Sequence, residues 1–236
     1  MTVAFSASPA EGPSGETLSE RTAARVESDI VSGALPPGSR LAIAELAARY
    51  GVGATPVREG LSRLVARGLI VAIGQRGFRV SAISRADLED ITRLRVLIEA
   101  EALRRSMARG DAAWEADIIA ALHRLRRFVE QNDAALGEGG REFDSLHKGF
   151  HTALIARCGS PRMLEAHADL YDQAYRYRRI MMGAFGDPRE FVHDHQTLAD
   201  LAIARRFGEA EDKLAAHLTS TLHAVYPEPA APGAGA

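Results

Sequence analysis

Residues 55–70, Thr-Pro-Val-Arg-Glu-Gly-Leu-Ser-Arg-Leu-Val-Ala-Arg-Gly-Leu-Ile, constrain the fold more than any other stretch of this chain. They predict a helix that opens on Thr55, with Pro56 in the first turn, where a missing N–H leaves no bond unmade. Val57, Leu61, Leu64 and Val65 recur at helical spacing and mark an inward face, while Arg58, Ser62 and Arg63 fall outside it. A shorter helix is expected at residues 42–50, separated from the first by a Gly51-Val52-Gly53 turn. Downstream, residues 70–73 and 78–80 flank a Gly74-Gln75-Arg76-Gly77 turn and read as a β-hairpin. Helix, turn, helix and hairpin, with arginines outward, is the geometry of a winged helix-turn-helix that places its second helix in a DNA groove.

The charge distribution agrees. Between residues 37 and 84, Arg40, Arg49, Arg58, Arg63, Arg67, Arg76 and Arg79 face only Glu45 and Glu59, a net of +5 in a chain whose overall charge is −2. A local positive patch suits a phosphate backbone, because affinity comes from counterion release at the contact face. The plain alternative is a solvated, arginine-rich helix face. The chain uses 27 Arg against 2 Lys, so arginine alone says little. Its clustering beside the helix-turn-helix pattern is the informative part.

Leu35-Pro-Pro-Gly-Ser-Arg-Leu41, Glu45-Leu46-Ala47, Thr55-Pro-Val-Arg-Glu59 and Leu64 with Gly68-Leu69-Ile70 fall in the order seen in one family. This segment, about the first third of the chain, resembles the DNA-binding domain of the GntR family of bacterial transcription regulators. The resemblance implies that Arg40, Thr55, Arg58 and Arg63 touch DNA, and that the wing turn at Arg76 and Gly77 reaches the minor groove. Where the family has Ser or Thr and then a basic or polar residue before Thr-Pro, this chain has Gly53-Ala54. The exchange implies the loss of two polar contacts, so the operator sequence of relatives does not carry over to this chain.

At 236 residues and 46% hydrophobic content the chain can bury one or two cores, and two domains are the natural reading. The expected division is a winged helix-turn-helix over 16–84 and an all-helical effector-binding and dimerisation domain over 85–226. Residues 1–15 and 227–236 are rich in Pro, Gly, Ala and Ser and are expected to be disordered tails. A single cysteine, Cys158, excludes an internal disulfide and fits a reducing cytoplasm. No apolar run approaches the roughly 18–20 residues of a membrane span, and no signal-peptide pattern is present.

After Ser84 strand signals vanish and helical periodicity takes over, broken near Gly110, at 137–140, 159–161 and 186–188. Five or six long helices are expected, packed as an antiparallel bundle. Residues 85–236 carry 20 basic and 24 acidic side chains, so this half is not the nucleic-acid surface.

Histidines carry the chemistry of the bundle. On a helix over 141–158 the inward stripe reads Phe143, Leu146, His147, Phe150, His151, Leu154, Ile155, Cys158. His147 and His151, at i and i+4, have the spacing to chelate one divalent ion. On the helix over 189–207 the stripe Phe191, His195, Leu198, Ala202 carries one histidine, and His193 points to solvent. On the last helix, 208–225, His217 sits among Leu214, Leu218 and Thr221. A lone inward histidine is usually a hydrogen-bonded core residue, but four of them, one pair at chelate spacing, favour a metal. Zn, Ni and Mn suit an imidazole-rich set. His123, His167 and His223 read as surface or packing residues. Asp144 falls at the edge of the inward stripe, and Lys148 points away from it.

Phe150-His151-Thr-Ala-Leu154, Cys158-Gly-Ser-Pro161, Asp194-His195 and His217 resemble the FCD ligand-binding domain of the FadR-like GntR subgroup. The resemblance implies a metal held by His151, His195 and His217 together with the position four before His151, which is usually Asp or Asn and here is His147. That exchange keeps the chelate spacing and removes one negative charge. The segments 146–151 and 170–179 look closest to a branch that senses small organic acids such as dicarboxylates.

Arginine placement adds a ligand hint. On a helix over 86–109 with the stripe Leu88, Ile91, Leu94, Ile98, Ala102, Arg95 lies inside the stripe, and a buried guanidinium needs an anion. That anion is either Glu99, one turn on, or a bound carboxylate. Arg178 is a second effector-binding candidate. A metal plus arginine in an apolar pocket suits a small hydroxy- or dicarboxylic acid. Three histidines with an open position are also how hydrolytic zinc sites are built, but no general base is placed beside them, so an enzyme is the weaker reading. A regulator with purely structural histidines is a further alternative. The expectation is a cytoplasmic, homodimeric regulator, most simply a repressor, on a palindromic DNA operator.

Overall fold

A computed structural model describes residues 16–132, 140–181 and 187–227. The expected tails thus lie outside the described residues, apart from Pro227. Among the described residues the chain folds into nine helices and one three-stranded sheet.

The N-terminal unit starts with α1 (Leu18–Val31), closed by a capping box in which Thr17 accepts from the Glu20 N–H and Glu20 accepts from the Thr17 N–H. α2 (Ile43–Tyr50) ends at Gly51, whose φ of +66° is a left-handed cap that glycine adopts without a Cβ clash. α3 (Ala54–Ala66) begins one residue before the expected Thr55, because Gly53 takes the extended N-cap position and no side chain caps the helix. Thr55 therefore sits exposed in the first turn, its hydroxyl unspent on a cap. β1 (Arg40–Leu41), β2 (Ile70–Ala72) and β3 (Phe78–Val80) pair antiparallel in the order β1-β3-β2, with Arg40 opposite Arg79 and Ile70 opposite Val80. Between β2 and β3 a single 3-10 turn, Gly74–Arg76, leads to Gly77 at φ +94° and ψ −143°, backbone space that only glycine enters freely. The hairpin is the wing.

Val26, Ile30, Leu41, Leu46, Val57, Leu61, Leu64, Leu69, Ile70 and Val80 form the core of this unit. The crossing of α1 and α3 depends on Gly60, where a Cβ would stand 3.0 Å from the Ala23 nitrogen and 3.2 Å from the Ser19 carbonyl oxygen. Both atoms are backbone, so the strain cannot be relieved by a rotamer change. Gly60→Val is expected to destabilise the protein by about 1–3 kcal/mol, read as a lower urea midpoint; an unchanged midpoint would show that α1 does not hold this position.

The remaining six helices are α4 (Arg85–Arg109), α5 (Ala112–Gln131), α6 (Gly140–Ile155), α7 (Pro161–Met181), α8 (Pro188–Ile203) and α9 (Phe207–Val225). α4, α6, α8 and α9 lie within a few residues of their expected spans, and α5 and α7 fall between the expected breaks. Their shared core is built on Trp114, Phe150, Leu154, Leu198 and Leu214, and Trp114 Nε1 donates to the Ala153 carbonyl at 2.9 Å. Leu94 departs from its expected inward place and is 42% exposed. Arg95 and Glu99 share the inward face of α4 with Leu88, Ile91 and Ala102, and Leu94 and Leu97 lie on the outer side.

α7 docks the bundle onto the N-terminal unit. Arg67, the C-cap of α3, pairs with Asp169 at 2.7 Å, Asp172 at 2.6 Å and Glu27 of α1. Gln173 donates to the Arg67 carbonyl at 2.8 Å, and Arg176 to the Ser81 carbonyl at 2.7 Å. Tyr177 accepts from the Ser84 N–H at 3.0 Å and donates to Asp87. One face of α7 thus holds the end of α3, while Tyr171 on the same helix faces the interior of the bundle.

Candidate metal centre

His147 and His151 on α6, His195 on α8 and His217 on α9 meet in the bundle, each offering a ring nitrogen within 4.8 Å of the others. His151 Nε2 lies 3.0 Å from His147 Nε2 and 3.2 Å from His217 Nε2. Three of the rings are almost completely buried and His217 is partly exposed. The i, i+4 spacing in α6 is what places two imidazoles on one face, and α8 and α9 deliver one each from their inward stripes. His193, one of the residues assigned to solvent, is exposed.

The electrostatics favour neutral rings. Burial pushes His147, His151 and His217 well below the ordinary histidine value, with neighbouring rings and arginines adding to the shift. Burial also brings His195 down to about 4, against the opposing bond to Phe191. A ring held neutral by burial keeps one nitrogen lone pair free, the state a metal ligand needs. His195 makes the point locally: its Nδ1 bonds the Phe191 carbonyl at 2.7 Å, which fixes the proton there, and its buried Nε2 has no hydrogen-bond partner. Ion–nitrogen bonds of about 2.1 Å place neighbouring nitrogens roughly 3.0–3.4 Å apart, which the two close contacts match. The donor set therefore fits a divalent ion.

Beside the cluster lies a cavity of about 390 Å³, walled by Phe143, Phe191, Asp144, Arg178 and three of the histidines, His147, His195 and His217. Its size suits a small ligand. Arg178 faces it, 3.0 Å from Asp144 Oδ1 and with its guanidinium 4.2 Å above the Tyr171 ring. Burial would lower the Arg178 pKa, but Tyr171 and Asp144 hold the group charged. Arg95 does not line this cavity. It pairs with Glu99 at 2.7 Å, with both side chains almost fully buried, which answers the choice left by the sequence in favour of the internal partner. Burial works against the Glu99 charge, yet Arg95 and His167 bring its carboxyl down to about 2.

Two features here differ from the sequence reading, and one choice it left open is answered. Asp144 is buried rather than at an edge, because Tyr171 and Arg178 of α7 close over it, and burial pushes its carboxyl up to about 6 against the pull of Arg178. His167 is 1% exposed with its Nδ1 3.2 Å from Glu99 Oε1, so of surface and packing, the two readings left by the sequence, it is packing. Tyr171 was not singled out, although a tyrosine in the middle of an apolar helix face is a usable signal that its hydroxyl has a partner. Lys148 does turn aside, to Asp172.

On the N-terminal unit Arg40, Thr55, Arg58, Arg63 and Arg76 are all exposed, and Gly77 shapes the wing. Arg63 has a loose pairing with Glu20 at 3.4 Å. Arg67 leaves the basic surface to clamp α7.

A winged helix-turn-helix joined to a helical bundle defines the class of DNA-binding regulators. The family model for bacterial regulatory proteins of the gntR family matches residues 18–80, and that for the FCD domain matches residues 90–220. The chain is 37% identical to the HTH-type transcriptional regulator BphR of Paraburkholderia xenovorans (strain LB400), over 93% of this chain and 89% of that one. It is 36% identical to the HTH-type transcriptional repressor GlaR of Escherichia coli (strain K12), over 84% of this chain and 90% of that protein. The solved structure of E. coli McbR/YncC shares the fold, with a TM-score of 0.76, 22% identity, and coverage of 90% and 98% of the two chains. The chain belongs to the GntR family, in the group that carries an FCD domain, and is a transcription regulator rather than an enzyme. Among the described residues no helix is long and apolar enough to cross a membrane.

Proposed function

We propose that this regulator is a cytoplasmic, homodimeric repressor whose DNA binding is set by a small organic acid at a divalent metal centre. The single observation that carries the reading is the convergence of four largely buried imidazoles from three helices beside a ligand-sized cavity. His147, His151, His195 and His217 are the metal ligands, and the bound ion supplies a Lewis-acidic position for a carboxylate oxygen. Arg178 is the effector-binding residue in this reading, since its guanidinium faces the cavity, whereas Arg95 pairs through Nε with Glu99 and does not line it. Phe143 and Phe191 give the ligand an apolar wall and exclude water from the carboxylate–arginine pair. The relative that is a repressor supports the same sign of action here.

In this reading residues 16–84 read DNA and 85–226 sense and dimerise. Arg58, Arg63 and Thr55 project from α3 into a major groove, Arg40 holds phosphate, and Arg76 with Gly77 carries the wing into the neighbouring minor groove. One winged domain makes few base contacts, so two copies on a palindromic operator are needed. Leu94 and Leu97, 42% and 69% exposed on the outer face of α4, give the second copy an apolar surface. Leu97→Glu is expected to shift the sedimentation mass from dimer toward monomer; an unchanged dimer would move the interface elsewhere.

The metal reading is tested by composition. The purified chain is expected to hold close to one divalent ion (Zn, Ni or Mn) per subunit. His195→Ala should lose most of that ion and melt at lower temperature, while His193→Ala should behave as wild type. Full occupancy in His195→Ala would contradict the assignment of the site.

A further inference from the structure

His147 brings an imidazole but no negative charge to the donor set, and its second ring nitrogen decides whether it can serve. Its Nε2 faces His151 at 3.0 Å. A ring that gives its Nε2 lone pair to an ion must carry its proton on Nδ1, and a buried N–H needs an acceptor. Two groups reach Nδ1: the Tyr171 hydroxyl at 3.1 Å and Arg178 Nη1 at 3.4 Å. A guanidinium has no acceptor atom, so Arg178 can only favour the opposite tautomer, with the proton on Nε2. The Tyr171 oxygen is left as the acceptor. Its own proton is directed away from His147, because the hydroxyl lies 3.1 Å from Asp144 Oδ1 and 3.3 Å from the Asp144 carbonyl oxygen. Tyr171 is fully buried and does not line the cavity, which leaves little room for water to take its place.

We propose that Tyr171 and Asp144 are positioning residues for the metal centre, joined in the chain His147 Nδ1–H to Tyr171 O–H to Asp144 carboxylate. The inference rests on the metal reading above and extends it to two residues that touch no ion. The chain holds His147 in the tautomer that presents Nε2 to the site. It also brings a carboxylate's charge to the set at second hand, where His147 supplies none. His195 needs no such help, since the Phe191 backbone carbonyl fixes its tautomer. His147 depends on one removable oxygen atom.

The experiment uses the full-length protein and Zn2+ alone, with affinity read by competition against a chromogenic chelator. Tyr171→Phe should weaken Zn2+ binding about 10- to 100-fold, with unchanged helical content. Asp144→Asn, which keeps the side-chain shape and removes the charge, should weaken it in the same direction by a smaller factor. In a His147→Ala background, Tyr171→Phe should cost nothing further, because the residue through which it acts is gone. Long-range 1H–15N spectra of the metal-free protein should show His147 protonated on Nδ1 in the wild type and on Nε2 in Tyr171→Phe. Wild-type-like affinity in both single variants, or an equal loss from Tyr171→Phe with and without His147, would overturn the positioning chain while leaving the metal centre standing. A wild-type chain that binds no Zn2+ would overturn the metal reading and this inference together.

Discussion

Arg95→Ala is expected to be the most damaging single truncation in the helical domain, costing about 3–5 kcal/mol of stability. Arg95 is 3% exposed and Glu99 1% exposed, and they pair at 2.7 Å inside the bundle. Removing the guanidinium leaves a carboxylate that water cannot reach, with the His167 and His151 rings at 3.2 and 3.8 Å beside it but no permanently charged group within ion-pair distance among the described residues. Burying one uncompensated charge costs more than the pair contributes when intact. The double variant Arg95→Met, Glu99→Met should therefore recover part of the loss, because it leaves neither charge behind. Urea unfolding of the wild type, the single and the double variant checks this. A single variant within about 0.5 kcal/mol of wild type would show that Glu99 is protonated or otherwise paired.

Arg58→Ala should weaken specific operator binding by about 1–3 kcal/mol, roughly 5- to 150-fold, if the side chain reads a base edge. Arg58 is exposed on α3, outside the buried stripe of Val57, Leu61 and Leu64, so the substitution leaves the core untouched. Arg40→Ala, in the adjoining strand, should instead weaken binding to all sequences alike and flatten the salt dependence. Fluorescence anisotropy at two salt concentrations, on operator and scrambled DNA, distinguishes the two roles. Unchanged operator affinity for Arg58→Ala would remove it from the contact surface.

The parts of this protein that were legible in sequence are those governed by local periodicity. The 3.6-residue spacing of Val57, Leu61 and Leu64 set the inward face of α3, and the same spacing put His147, His151, His195 and His217 on inner faces before any packing was known. Glycines at 74 and 77 marked the wing because their backbone conformations require them. What escaped were features made by residues far apart in the chain. Asp144 looks marginal on its own helix and becomes buried only when Tyr171 and Arg178 cover it, 27 and 34 positions later. Arg67 belongs by sequence to the basic surface, yet Asp169 and Asp172, more than 100 residues away, draw it to the domain contact. Leu94 misled for a related reason: Leu88, Ile91 and Ala102 of the expected stripe are buried, but the buried Arg95–Glu99 pair fills the middle of that face and Leu94 stands outside it.

Operator affinity measured with and without a panel of small hydroxy- and dicarboxylates, on metal-loaded and chelator-stripped protein and on Arg178→Ala, tests the central claim most directly. A ligand can shift the equilibrium between DNA-competent and DNA-incompetent dimers only through different affinity for the two. The account predicts that at least one acid changes operator affinity at least tenfold in the loaded wild type, and that stripping the metal or removing the Arg178 guanidinium abolishes the change. A response of the same size and midpoint in stripped protein would contradict a metal-centred sensor.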